Sequence, residues 1–190
     1  IERASKMGFR KFIVSLNYLG NMIQDYFGSG DALGVSITYI KEEAPLGTAG
    51  ALSLIKDRPN SMFVVTNGDV LTDIDYSRLI DFGLLNGAQG VMAVRPYEVQ
   101  NPFGVVEVSG IDIQRFVEKP ITRSHINAGI YAINPQALDL LTQQSPCDMP
   151  SFFDLIRASG DRTVVFPMHE PWLDVGRPED LQRAQGQIDD

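Results

Sequence analysis

With 190 residues, 44% of them apolar, the chain is long enough for one α/β domain with a sizeable core. A net charge of −8 and a pI near 4.7 argue against unaided nucleic-acid binding, but not against a local anion pocket built from backbone N–H groups and a lysine. The single cysteine, Cys147, leaves no intramolecular disulfide and no cysteine-rich zinc site; no apolar run reaches membrane-spanning length and no signal-peptide pattern is visible, which together point to a reducing cytoplasm.

Residues 1–8 read as the last turns of a helix stopped by Gly8, without an initiator Met. An opening in mid-helix suggests a preceding piece. Residues 11–16 (KFIVSL) read as a strand, and Asn17 then precedes a helix to about Phe27 with Leu19, Met22, Ile23 and Tyr26 on one face. Gly28-Ser29-Gly30 ends it. Residues 35–40 alternate as a strand. The loop Glu42-Glu43-Ala44-Pro45-Leu46-Gly47 leads into a helix over 48–56.

Phe63-Val64-Val65-Thr66-Asn67-Gly68-Asp69 follows, a β-branched apolar run that stops at a small turn and an acid. Such a run reads as a strand buried on both faces, and ligands of open α/β sheets bind beyond the carboxyl ends of the strands. Gly68 allows close approach of a ligand, and the Asp69 carboxylate suits a divalent cation and its phosphates. The same three residues read equally well as a plain turn. A helix over 76–85 and a strand over 90–94 come next. The strand–helix alternation predicts a mostly parallel sheet with right-handed crossovers.

After Pro96 the pattern changes. Strands over 103–108 and 113–118 form a hairpin-like excursion, a further strand covers 125–133, helices cover 136–141 and 152–158, a strand covers 163–166, and a closing helix covers 179–187. No repeat or second domain is visible, so residues 1–190 are expected to form one domain.

Four further stretches carry candidate chemistry. Pro45-Leu46-Gly47-Thr48-Ala49-Gly50-Ala51 is a strand-to-helix turn of small residues that brings N–H groups to a nucleotide, or a helix simply capped by Thr48. Phe116-Val117-Glu118-Lys119-Pro120 ends a strand with side chains that diverge, one suited to sugar hydroxyls and one to a phosphate, or an exposed mixed-charge end. Ile126-Asn127-Ala128-Gly129 places an amide and small residues within a strand, for close approach of a ligand or as a bulge. Trp172-Leu173-Asp174-Val175-Gly176 puts the only Trp two residues before an acid, which is either a helix-terminal charge or a second metal carboxylate beside Asp69. His125 and His169 have no metal or triad spacing and read as structural.

In this order the stretches resemble the sugar-1-phosphate nucleotidyltransferases, over about residues 8–181, and Glu43-Ala44-Pro45-Leu46-Gly47-Thr48-Ala49-Gly50-Ala51 looks most like the guanylyltransferase branch acting on mannose-type or heptose-type 1-phosphates. The resemblance implies a Rossmann-like α/β fold, a mixed, mostly parallel sheet flanked by helices, and Mg²⁺-dependent transfer of a nucleotidyl group from an NTP to a sugar 1-phosphate. It implies Asp69 and Asp174 as Mg²⁺ ligands and Lys119 on the sugar phosphate. Glu42, Pro45, Gly47, Thr48 and Gly68 would face the nucleotide, and Gly104, Glu118, Asn127 and Gly129 the sugar. A carboxylate at Glu42 also has a physical reason to choose guanine, whose N1–H and N2–H₂ are adjacent donors. Departures are clear. The family's Gly-Gly-x-Gly-Thr-Arg-Leu triphosphate loop is absent from these residues, as is its first βα unit, and Phe103 stands where a Tyr is usual. The expectation is an N-terminally truncated domain with little or no activity by itself and with open strand edges, on which a homo-oligomer or another chain could pair. A non-catalytic sugar-nucleotide-binding or regulatory subunit of the same fold is the alternative.

Overall fold

The computed structural model describes residues 1–17 and 20–176. In chain order the elements are α1 (Glu2–Lys6), β1 (Lys11–Leu16), α2 (Gly20–Phe27), a 3₁₀ turn (Asp31–Leu33), β2 (Ser36–Lys41), α3 (Gly47–Gly50) continued by a 3₁₀ turn (Ala51–Leu54), β3 (Phe63–Thr66), β4 (Val70–Thr72), α4 (Tyr76–Leu85), β5 (Gly90–Gln100), β6 (Val105–Ser109), β7 (Asp112–Val117), β8 (Ile121–Ile133), a 3₁₀ helix (Pro135–Leu140), α5 (Met149–Ala158), β9 (Thr163–Pro167) and β10 (Trp172–Asp174). The closing helix expected over 179–187 lies outside the described residues, as does Leu19.

A four-stranded sheet of order β3-β8-β5-β9 forms the centre. β3, β5 and β9 run one way, and β8 runs against both β3 and β5. The sheet is therefore mixed, with three of its four strands sharing a direction. The reversal has a local cause: after β5 the chain makes the β6–β7 hairpin and returns beside the strand it left. β8 is buried on both faces from Ala128 to Ile133, and its side chains alternate between two cores. Ala128, Ile130 and Ala132 join Leu79 of α4 and Val91 of β5 in one core; Tyr131 and Ile133 join Phe152, Phe153 and Ile156 of α5 in the other. Helices thus cover both faces of the sheet.

β1 and β2 form a separate parallel pair. Among the described residues, the outer edge of β3 has no strand beside it. The apolar stripe of α2 is uncovered too, with Met22 66% and Tyr26 83% exposed.

Several elements differ from expectation. The helix expected over 48–56 is one α-turn tightened into a 3₁₀ turn. β5 runs on through Pro96, which lies opposite His125; β9 accompanies β5 only to Val94, so Pro96 sits where β5 is an edge, and edges tolerate proline. The strand expected from 125 starts four residues earlier, at Ile121. β4 and β10 were not foreseen, because three residues are too few to show a period.

Candidate functional site

β4 and β10 pair antiparallel, with Asp174 opposite Val70 and hence next to Asp69. The Asp69 carbonyl accepts the Val175 N–H at 2.8 Å, and Asp174 Oδ1 accepts the Gly176 N–H at 3.1 Å. A Cβ on Gly176 would lie 2.8 Å from Asp69 Oδ2 and 3.1 Å from Asp174 Oδ1. The two carboxylates therefore face each other across a space that only glycine leaves open. No cluster of three or more His, Cys, Asp and Glu occurs among the described residues. A cation here would take two protein oxygens and complete its shell with water and phosphate, as Mg²⁺ commonly does.

Beside this pair, the end of β3 is joined to the interior of β8. The Asn67 N–H donates to the Gly129 carbonyl at 2.9 Å. Gly129 has φ +71°, and a Cβ there would meet Asn67 Nδ2 at 2.9 Å. Asn127 Oδ1 accepts the Gly129 N–H at 2.9 Å, while Asn127 Nδ2 donates to the Tyr131 hydroxyl at 2.7 Å. Burial pushes the Tyr131 phenol up from its ordinary pKa, and the Asn127 bond opposes that rise. The structure thus brings Gly68, Asp69, Asn127, Gly129 and Asp174 into one neighbourhood, with Asn67 as the link that the sequence showed only as part of a turn.

Gly104, Glu118 and Lys119 gather at the stem of the β6–β7 hairpin. A Cβ on Gly104 would come within 2.9 Å of Glu118 Oε2. Lys119 has φ +44°, a left-handed conformation rare for a residue with a side chain and more costly before a proline. Such strain often marks a functional position. No hydrogen bond among the described residues links this stem to the two carboxylates.

At the turn expected to face the nucleotide, Glu42 is held by both oxygens: Oε1 accepts from the Ser15 hydroxyl at 2.7 Å and Oε2 from the Leu46 N–H at 2.9 Å. Each oxygen keeps a second lone pair. Pro45 is exposed, and Gly47 has φ +74°, with Asp148 Oδ1 2.6 Å from where its Cβ would be. The N–H groups of Ala49 and Gly50 both donate to the Cys147 carbonyl, at 2.9 and 3.0 Å. Thr48 caps no helix of its own. Its Oγ1 accepts the Met149 N–H at 2.8 Å, at the start of α5, where Asp148 makes no side-chain cap. The glycine turn is therefore docked on the segment around Cys147, and part of its donor set is already engaged. Ser15 carried no signal in the sequence, since a serine on a strand is common.

The family model for nucleotidyl transferases matches residues 1–190. The chain belongs to the nucleotidyl transferase family. It is 32% identical to the mannose-1-phosphate guanylyltransferase catalytic subunit beta of Dictyostelium discoideum, over 98% of this chain and 54% of that protein. It is 33% identical to a mannose-1-phosphate guanyltransferase of Candida albicans, over 95% of this chain and 52% of that protein. The chain spans about half the length of these curated relatives. Among solved structures, HddC from Yersinia pseudotuberculosis has the same nucleotidyltransferase fold, with a TM-score of 0.74 at 23% identity, over 98% of this chain and 82% of that one. A second structure of HddC, complexed with GMP-PN, matches with a TM-score of 0.69.

Proposed function

We propose that the whole protein transfers a nucleotidyl group, GMP from GTP, to a sugar 1-phosphate of mannose or heptose type and releases pyrophosphate, with Mg²⁺ between Asp69 and Asp174. The observation that carries this reading is the pair of carboxylates facing each other across Gly176, beside the Asn127–Gly129 segment. The names of relatives at 32% and 33% identity support the same chemistry.

A phosphate monoester with a second pKa of about 6 is already a competent nucleophile near neutral pH, so no general base is needed. The protein's work is orientation and charge neutralisation. Lys119 supplies a cation for the sugar phosphate, and Glu118 and Asn127 supply hydrogen-bonding groups for sugar hydroxyls. Gly104 keeps the backbone accessible, and Gly129 lets the Asn67 side chain close against the strand. Glu42 offers its remaining lone pairs to the guanine edge, while Pro45, Gly47, Thr48 and Gly68 line the nucleotide. Bound Mg²⁺ would neutralise the phosphate oxygens.

No helix among the described residues is long and apolar enough to cross a membrane, and we place the protein in the cytoplasm, with homo-oligomerisation through its open edges. Residues 1–190 contain no Gly-Gly-x-Gly-Thr-Arg-Leu run. We therefore read them as one domain with little or no activity by itself. That same feature favours a second reading, a sugar-nucleotide-binding or regulatory subunit.

Calorimetry with Mg²⁺ and GDP-mannose, UDP-glucose or dTDP-glucose tests the reading. GDP-mannose is expected to bind at least tenfold more tightly; equal or reversed preference overturns the guanine assignment. Robust pyrophosphate release from GTP and mannose 1-phosphate by this chain alone would overturn the assignment of little or no activity. No release by the whole protein would leave the binding subunit.

A further inference from the structure

We infer that Trp172, seconded by Arg95, is a positioning residue that sets Asp174 against Asp69 and ties the carboxylate pair to the Asn127–Gly129 segment. The inference rests on reading Asp69 and Asp174 as the metal pair. β10 is three residues long and, among the described residues, pairs only with β4, itself three residues long. A two-stranded ribbon that short is not stable unaided, so something else must hold Asp174 in place.

Trp172 has the contacts to do so. Its ring packs against the core beneath α4, and its indole N–H donates to the Ala128 carbonyl at 2.8 Å. Ala128 lies between Asn127 and Gly129, so this one bond fastens the metal strand to the sugar strand. Being two residues apart on β10, Trp172 and Asp174 share a face. Arg95 completes the latch. Its guanidinium carbon lies 5.8 Å from the Trp172 ring centroid, within cation–π range, and its Nη1 donates to the Trp172 carbonyl at 3.3 Å. Arg95 lies opposite Ile126 in the β5–β8 ladder, so both contacts of the latch originate beside the sugar strand. Outer groups that orient metal ligands typically change metal affinity by 10–100-fold when removed.

The test is Mn²⁺ binding to the 190-residue chain, followed by water-proton relaxation and read without turnover. Wild type is expected to bind one Mn²⁺ and Asp174→Asn to lose it. Trp172→Phe, which keeps the ring but not the N–H, should weaken binding about tenfold, and Arg95→Met should weaken it severalfold, both below their thermal midpoints. Asn134→Ala removes a cap on the 3₁₀ helix (Pro135–Leu140) and serves as the general-stability control; its Mn²⁺ affinity should match wild type. Unchanged affinity in Trp172→Phe overturns the latch and leaves the metal pair intact. Should Trp172→Phe not fold, Arg95→Met decides alone, and unchanged affinity there overturns the latch. Equal weakening in Asn134→Ala reduces the effect to stability and also overturns it. Wild type without a site, or Asp174→Asn that keeps one, overturns the metal pair and the latch together.

Discussion

Asn127 engages both ends of its amide within the protein, one on the Gly129 N–H and one on the Tyr131 hydroxyl. The candidate sugar-binding amide is thus oriented before any ligand arrives, and Tyr131, 2% exposed, is what orients it. Burial raises the Tyr131 pKa more than the Asn127 bond lowers it, so folding favours the protonated phenol. Its stabilising contribution is complete below the unfolded value of about 10 and is lost as pH rises through the folded one. Tyr131→Phe should cost about 1 kcal/mol near neutral pH and flatten the fall of stability above pH ~10, as read by urea unfolding at stepped pH. The slope should not vanish, because burial raises Tyr76 as well. At this scale the sequence showed Asn127 and Gly129 as unusual strand residues but gave no sign of Tyr131. An aromatic in a strand reads as core, and only the fold shows where its hydroxyl goes.

Among the elements, Thr48 has the clearest exchange of roles. The sequence suggests a cap on its own helix; the fold uses its hydroxyl oxygen to cap α5, 101 positions away. Thr48→Ala should lower stability by about 1 kcal/mol, while Thr48→Ser retains most of it. Urea midpoints with an unchanged m-value check this. The regular elements were legible because their patterns are local: β1, α4 and the β6–β7 hairpin stand close to where periodicity and turn residues put them, and β3 where its apolar run put it. β4 and β10 were not, although they carry the two carboxylates to each other. A three-residue strand is specified by its partner, and its partner is a hundred residues away.

For the whole molecule, the unusual feature is a sheet in two pieces. β1 and β2 pair only with each other, and β3 ends the central sheet with an open edge among the described residues. Ile13 of β1 is 42% exposed, and the α2 stripe lies bare. Open strand edges beside apolar surface favour association between chains. The 190-residue chain should therefore sediment as concentration-dependent oligomers, despite its charge of −8. Met22→Lys with Tyr26→Lys should shift it toward monomer, and a purely monomeric wild type would contradict this reading of the edges.

By itself the sequence determined the α/β class and the order of most elements, because periodicity and turn chemistry are local, and the resemblance of its ordered motifs to a family supplied the candidate residues. Tertiary structure alone decided which of those residues meet. It decided that Asp69 and Asp174 face across Gly176, that Glu42 is held by Ser15 and Leu46, and that Trp172 is latched to Ala128. Those meetings depend on strand register and on which chain segment returns beside which. Contacts between distant segments leave no period in a single chain.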